Sequence, residues 1–237
     1  MDKQLAKLLV IVAKEPVPGK VKTRLFPKLS LAVAADLYRC FLHDRIQEVS
    51  TLNEVDRAIA YTPEDAGKTF ATLALDGFEL FAQQGKHLGE RLNNIFLEKL
   101  SQGYNAVSIV DSDSPDLPKS LIKESFELLL SKRADIVFGP CYDGGYYLVG
   151  MRKPHPELFR NIPWSTENVL SATLEKARKM GLNVKLLTRW NDLDTFEDLL
   201  EFYNKYKNRQ LSKDWAGKKT FAFLSQLEKI NALSFPR

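Results

Sequence analysis

Cysteine is nearly missing from this 237-residue chain. The two that occur, Cys40 and Cys141, are far apart and lack any Cys-x-x-Cys spacing, so neither a zinc site nor a disulfide framework is indicated. Long apolar runs are missing as well. Leu8 to Ala13 is too short for a signal peptide or a membrane span, and Met1 to Lys7 carries both signs of charge and no apolar core, which predicts a cytoplasmic protein without a membrane span. Glycine and proline do not cluster, no repeat or linker interrupts the chain, and 44% hydrophobic with 27% charged residues describes a folded protein. Neither sign of charge dominates: a net charge of +4 suits phosphate ligands or simple solubility and does not call for nucleic acid. There is no Gly-x-x-x-x-Gly-Lys-Ser/Thr and no Gly-x-Gly-x-x-Gly, which counts against ATPase and dehydrogenase readings.

The length supports one core, so a single domain is expected over residues 1–237, with 208–237 a peripheral helical extension. The lysines near that tail, Lys205 to Lys219, have few interleaved aromatics and read as a solvated helix. Upstream, apolar β-branched runs alternate with helical periodicity. Leu8 to Ala13 is the pattern of a central strand buried on both faces; Ala58 to Tyr61, Phe78 to Gln83, Ala106 to Val110, Asp135 to Gly139 and Asn183 to Leu187 are further strands. Between them, Tyr38, Leu42, Ile46 and Val49, then Leu88, Leu92, Ile95 and Phe96, recur at helical spacing. Further helices are expected over Pro63 to Phe70 and Leu121 to Lys132. The alternation predicts an α/β fold with a mostly parallel sheet.

The chemistry gathers where strands end. Val107 to Val110 runs into Asp111-Ser112-Asp113, and Pro115 and Pro118 forbid its continuation as a central strand or helix. Carboxylates at the carboxyl edge of an open α/β sheet suit a hard divalent ion, Mg²⁺ or Mn²⁺, which takes one or two of them together with substrate phosphates. The same letters also suit a polar turn that caps the helix starting near Pro118. After the first strand, Pro16, Pro18 and Gly19 enforce an irregular loop that carries Lys14, Lys20, Lys22, Arg24 and Lys28. Such a loop can hold a di- or triphosphate, or it can be solvated surface. Asp143-Gly144-Gly145 is turn chemistry whose glycines allow close backbone approach; it reads as a hairpin turn or as a ligand contact. Glu167 follows the candidate caps Ser165 and Thr166. Asp198, three residues after Thr195, completes a capping pattern, whereas Asp194 lies outside the helix and is not explained by capping.

Five segments taken together resemble a family of GT-A-type glycosyltransferases, also described as nucleotide-diphospho-sugar transferases. They are P-V-P-G-K-V-K-T-R-L (Pro16 to Leu25), S-D-S-P-D-L (Ser112 to Leu117), G-P-C-Y-D-G-G-Y-Y-L-V-G (Gly139 to Gly150), W-S-T-E (Trp164 to Glu167) and D-L-D-T-F-E-D-L (Asp192 to Leu199). Similar K-T-R-L and D-x-D-T-P-E-D-L segments occur in guanylyl- and cytidylyltransferases of related fold. The resemblance implies a three-layer sandwich with helices on both faces of the sheet. It implies a metal on Asp113 and Asp194, and phosphate contacts from Lys14, Lys22 and Arg24. Two positions depart from the family pattern: Asp111 where glycine is expected, and Phe196 where proline is. Proline in the first helical turn is favoured but not required. At Asp111 a side chain stands where backbone would approach the nucleotide, so it either contacts the ribose or weakens nucleotide binding.

The expectation is a metal-dependent transferase that takes a nucleotide-sugar donor and a small-molecule acceptor. Lys22 and Arg24 would neutralise the departing nucleotide, Lys14, Gly19, Asp111, Gly144 and Gly145 would contact it, and Asp143 or Glu167 would deprotonate the acceptor. Nucleotidyl transfer with release of pyrophosphate is the alternative, and nucleotide binding without turnover is a third reading.

Overall fold

The structure, a computed structural model, describes residues 6–211 and 215–230. Its centre is a seven-stranded sheet in the order β3-β2-β1-β4-β6-β5-β7. The strands are β1 (Lys7–Lys14), β2 (Asp56–Thr62), β3 (Phe78–Ala82), β4 (Ala106–Val110), β5 (Ile136–Pro140), β6 (Tyr146–Met151) and β7 (Val184–Leu186). All pairings are parallel except those of β6, which is antiparallel to both β4 and β5. The Asp143-Gly144-Gly145 turn makes β5 and β6 a hairpin, and β6 is thereby inserted between two strands that run the same way.

Helices cover both faces, completing the three layers. The helices are α1 (Leu31–Ser50), α2 (Gly67–Leu73), α3 (Leu88–Ser101), α4 (Lys119–Leu130), α5 (Val169–Lys179), α6 (Phe196–Tyr206) and α7 (Lys218–Lys229). Strand alternation divides the core: Leu9, Ile11 and Ala13 of β1 pack with α1, α4 and α6, while Leu8 and Val10 pack with α3 and α5 on the opposite face. A continuous apolar strand is therefore the correct sequence for β1, because it is covered on both sides.

Most boundaries differ by a residue or two from those read in the sequence; the helix expected over Pro63 to Phe70 instead begins at Gly67 and runs to Leu73, after a short 3-10 turn over Glu64–Ala66. Helix α4 starts at Lys119, since Pro118 has extended backbone (φ −68°, ψ 137°) and serves as its cap residue. Ser30 caps α1 by accepting from Val33 N–H, and Thr195 with Asp198 forms a complete capping box on α6. Of the expected extension at 208–237, residues 212–214 and 231–237 lie outside the described residues. Its helix α7 is docked firmly: Asp44 of α1 accepts from the N–H groups of Lys219 and Thr220 at 2.8 Å each, and Leu224 and Leu227 are buried. Among the described residues no helix is long and apolar enough to cross a membrane.

The parallel strands bring Lys14, Thr62, Gln83, Asp111 and Cys141 to one edge of the sheet. In open α/β sheets that edge is where connecting loops leave room for a ligand.

Candidate active site

A cleft of about 770 Å³ opens along that edge. One wall is the end of β1 and the loop after it, with Lys14, Lys20, Lys22 and Arg24; a second is the β3–α3 connection and the first turn of α3, with Gln83, Lys86, His87 and Arg91. Asp111 and Asp113 enter from β4, Asp143 and Gly145 from the β5–β6 hairpin, Glu167 from the segment before α5, and Asp192 and Asp194 from the segment before α6.

The basic and acidic loops meet at Lys22. Its Nζ lies 2.6 Å from Asp113 Oδ1 and 2.6 Å from Asp194 Oδ1, with the lysine side chain only 3% exposed. Lys22 itself has left-handed backbone (φ 49°) and precedes the short 3-10 turn Thr23–Leu25. The ammonium also lies over the rings of Phe41 and Tyr38, at 5.1 and 6.0 Å from their centroids. Burial alone would lower its pKa, but Asp113 and Asp194 outweigh that and raise it, so the ammonium stays charged. Burial likewise tends to raise Asp194, and Lys22 with Arg24 pulls it below the ordinary carboxylate value. Arg24 Nη1 is 3.5 Å from Asp194 Oδ2.

Supporting bonds fix the two acidic loops to each other. Leu193 N–H donates to the Asp113 carbonyl at 2.9 Å, and Asp198 Oδ2 accepts from the N–H groups of Asp194 and Thr195. The Tyr38 hydroxyl accepts from Lys14 N–H at 3.1 Å and lies 2.7 Å from Ser112 Oγ, joining the ends of β1 and β4 to α1. Arg45, fully buried, donates to the carbonyls of Ser114 and Leu117 and thereby shapes the turn after Asp113.

Two other carboxylates are less well compensated. Burial and then the Asp113 charge push Asp111 up to about 8, and burial, Asp143 and Asp194 push Asp192 up to about 7. Ser114 Oγ donates to Asp111 Oδ2, while the buried Oδ1 has no partner. An excess of carboxylate oxygens, one of them orphaned, is the donor set a hard divalent cation requires. Cys141, Asp143 and Asp192 also bring one ligand atom each within 4.8 Å of one another. The Cys141 thiol is a poor candidate for such an ion: burial and the nearby aspartates raise its pKa, so it is held protonated, and sulfur suits softer metals. Asp113 and Asp194 offer only oxygen, and Lys22 holds one oxygen of each, so a cation there would take the remaining oxygens or displace the ammonium.

Not every residue proposed from the sequence faces the cleft. Gly19 and Gly144 are absent from its lining, whereas Gly145 is present. Gly19 (φ 77°) makes the turn of the basic loop. Gly144 (φ 88°) packs on the chain before α5, where an added Cβ would lie 2.0 Å from the Glu167 carbonyl oxygen. Asp111 lines the cleft and accepts from Ser114 Oγ at 2.9 Å. Asp143 and Glu167 are both exposed in the cleft, and Asp143 is steadied by Gly145 N–H at 2.8 Å. Gln83, Lys86, Tyr38 and Asp192 were not anticipated here. Only Asp192 had a visible signal, because its Asp-x-Asp with Asp194 duplicates that of Asp111 and Asp113.

A family model described as an uncharacterised protein conserved in bacteria (DUF2064) matches residues 45–166. A Desulfovibrio desulfuricans G20 structure, assigned provisionally as a nucleotide-diphospho-sugar transferase, is 35% identical over 95% of this chain and 97% of that one, with a TM-score of 0.85. The chain belongs to this family. More distant likeness, which concerns the fold, extends to a Leptospira borgpetersenii cytidylyltransferase (12% identity, 98% of each chain, TM-score 0.55). It extends also to the 4-diphosphocytidyl-2C-methyl-D-erythritol synthase of Anaerococcus prevotii (11% identity, 86% of this chain and 97% of that one, TM-score 0.54). No curated protein matches the chain. The DUF2064 chain is thus a relative, by family, of that nucleotide-diphospho-sugar transferase structure and shares its fold with the cytidylyltransferases.

Proposed function

We propose that this protein transfers a glycosyl group from a nucleotide-diphospho-sugar to a small-molecule acceptor, using a divalent cation held by Asp113 and Asp194. The observation that carries the reading is the meeting of Lys22 with both aspartates inside a cleft large enough for a nucleotide sugar. The cation, Mg²⁺ or Mn²⁺, supplies Lewis-acid neutralisation of the donor diphosphate.

The remaining roles fall to the chain. Lys14, Lys22 and Arg24 bind the diphosphate and stabilise the charge that grows on it as the bond between the sugar carbon and the phosphate oxygen breaks. The electron pair leaves with the nucleoside diphosphate. The acceptor oxygen forms the new bond to the sugar carbon, and its proton passes to Asp143 or Glu167. Asp143 is the stronger choice, because the Gly145 N–H fixes one carboxylate oxygen while the other remains available.

Nucleotidyl transfer is the second reading, and one observation favours it. Lys86 and Arg91 add cations on a wall distinct from that of Lys22, as a phosphorylated co-substrate would need. Phosphorus NMR of turnover mixtures with Mn²⁺ separates the two. Glycosyl transfer releases a nucleoside diphosphate from a sugar donor; nucleotidyl transfer releases pyrophosphate from a nucleoside triphosphate. Pyrophosphate release and no consumption of any sugar donor would overturn the first reading.

A further inference from the structure

The cleft has two chemically different halves. Cations and carboxylates of the loops after β1 and β4 and before α6 line one of them. The other descends between α3 and α5, where Val12, Leu92, Ile109, Tyr146 and Trp164 line it; all five belong to the core on that face of the sheet. Leu88, the first residue of α3, also lines the cleft and is 43% exposed. Apolar surface concentrated in a cleft marks a place where a ligand is bound.

The two rings of this wall are fixed. Tyr146 and Trp164 meet edge to face with centroids 6.4 Å apart, and the indole lies so close to α3 that a Cβ added at Gly89 would be 2.6 Å from Trp164 Nε1. Trp164 Nε1 and the Tyr146 hydroxyl are both buried, so neither is offered to the cleft and the rings present carbon alone. Trp164 and Glu167 share one turn, in which the Thr166 hydroxyl donates to the Pro163 carbonyl at 2.7 Å and accepts from Asn168 N–H at 3.2 Å. Leu170 N–H donates to the Gly144 carbonyl at 2.9 Å, so the turn that carries Asp143 is docked on the chain that carries Glu167. The apolar half therefore ends at the two carboxylates assigned to the acceptor.

We propose that the acceptor is an apolar alcohol, a hydroxyl carried on an aromatic or alicyclic body that rests on Leu88 and Trp164 while the hydroxyl reaches Asp143 or Glu167. This names the acceptor class of the glycosyl-transfer reading and rests on that reading. A hexose or a phosphorylated acceptor on the same wall would bring several hydroxyls or a charge against side chains that return no hydrogen bond. An apolar body gains from the same burial.

The test is ligand-observed NMR titration of the full chain, loaded with Mg²⁺ and the tightest-binding of ADP, CDP, GDP and UDP. The probes are 4-ethylphenol, cyclohexanol, glucose and glycerol 3-phosphate. The two apolar alcohols are expected to bind at least about tenfold more tightly than the two polar probes. Leu88→Gln, at an exposed position, should weaken both alcohols at least about threefold and Trp164→Ala at least about tenfold, with diphosphate affinity kept within about twofold. Where Trp164→Ala fails to fold, Leu88→Gln decides. No binding of either alcohol, tighter binding of glucose or glycerol 3-phosphate, or alcohol affinity unchanged in Leu88→Gln overturns the proposal. An equal loss of diphosphate affinity overturns it too, since the wall would then belong to the nucleotide. Each of these outcomes leaves the nucleotide reading standing, whereas no binding of any nucleoside diphosphate to the wild type removes that reading and this inference together.

Discussion

Lys22 Nζ is shared between Asp113 and Asp194, at 2.6 Å from each, although the two aspartates belong to loops after different strands. The ammonium thus stands where the two carboxylates converge and does there what a bound cation would do. Replacing Lys22 with Met leaves those charges facing each other. The loss is expected to be about 1–2 kcal/mol in urea unfolding, below the value for a fully buried pair because Asp113 and Asp194 keep 40% and 35% exposure. Mn²⁺ should raise the melting temperature of this variant more than that of the wild type, since the lysine no longer competes for the same oxygens. An equal shift in both would show that the cation binds elsewhere.

Asp111 and Asp192 give the protein an unusual pH response. Both hold their protons more tightly folded than unfolded, with values near 8 and 7 against an ordinary 3.8. Between about pH 4 and 8 the folded state therefore binds more protons than the unfolded one, and these two groups make stability fall as pH rises. Melting curves across that range without divalent cation should show the decline, and Asp111→Asn should flatten it. Mn²⁺ should stabilise increasingly toward pH 8, because a cation competes with protons for carboxylates. A slope unchanged in Asp111→Asn would contradict the assignment.

Tyr38→Phe removes the hydroxyl that joins Lys14 N–H to Ser112 Oγ. The expected cost is about 1–2 kcal/mol, measured by urea unfolding, for a buried site left short of a partner. Phosphate affinity should fall with it, because the basic and acidic loops lose a common anchor. Full retention of both would mean that the ring alone positions these loops.

Asp198 is more than a helix cap. Besides completing the box with Thr195, its Oδ2 accepts from Asp194 N–H at 3.0 Å. Asp198→Ala should cost about 1 kcal/mol of stability. It should also weaken Mn²⁺ binding in a calorimetric titration, an effect that a cap without contact to Asp194 would not produce.

The parts of this fold that could be read beforehand are those whose physics is local. Leu8 to Ala13 had to be a strand covered on both sides, and Asp111 to Pro118 had to be a turn, because apolar periodicity and proline geometry act over a few residues. The insertion of antiparallel β6 between β4 and β5 depends on pairing between distant segments, and only its Asp-Gly-Gly turn was visible. The same limit governs the site. Charged loops announced themselves by composition. Tyr38 looked like ordinary helix packing, because its bonds to Lys14 and Ser112 come from elsewhere in the chain. Gln83 gave no signal for the same reason: its amide bonds the carbonyls of Ala13 and Ala60, from other strands. Gly144 is ambiguous in the other direction, since a glycine required for packing against Glu167 has the same appearance in a sequence as one that admits a ligand.

The central claim is that Asp113 binds a nucleotide diphosphate through a divalent cation. Calorimetric titration of a nucleoside diphosphate into wild type and Asp113→Asn, each with and without Mn²⁺, tests it directly. The account predicts binding that strengthens with Mn²⁺ in the wild type and a loss of at least about tenfold of that dependence in the variant, as expected when a metal ligand is removed. Affinity and Mn²⁺ dependence unchanged in Asp113→Asn would contradict it.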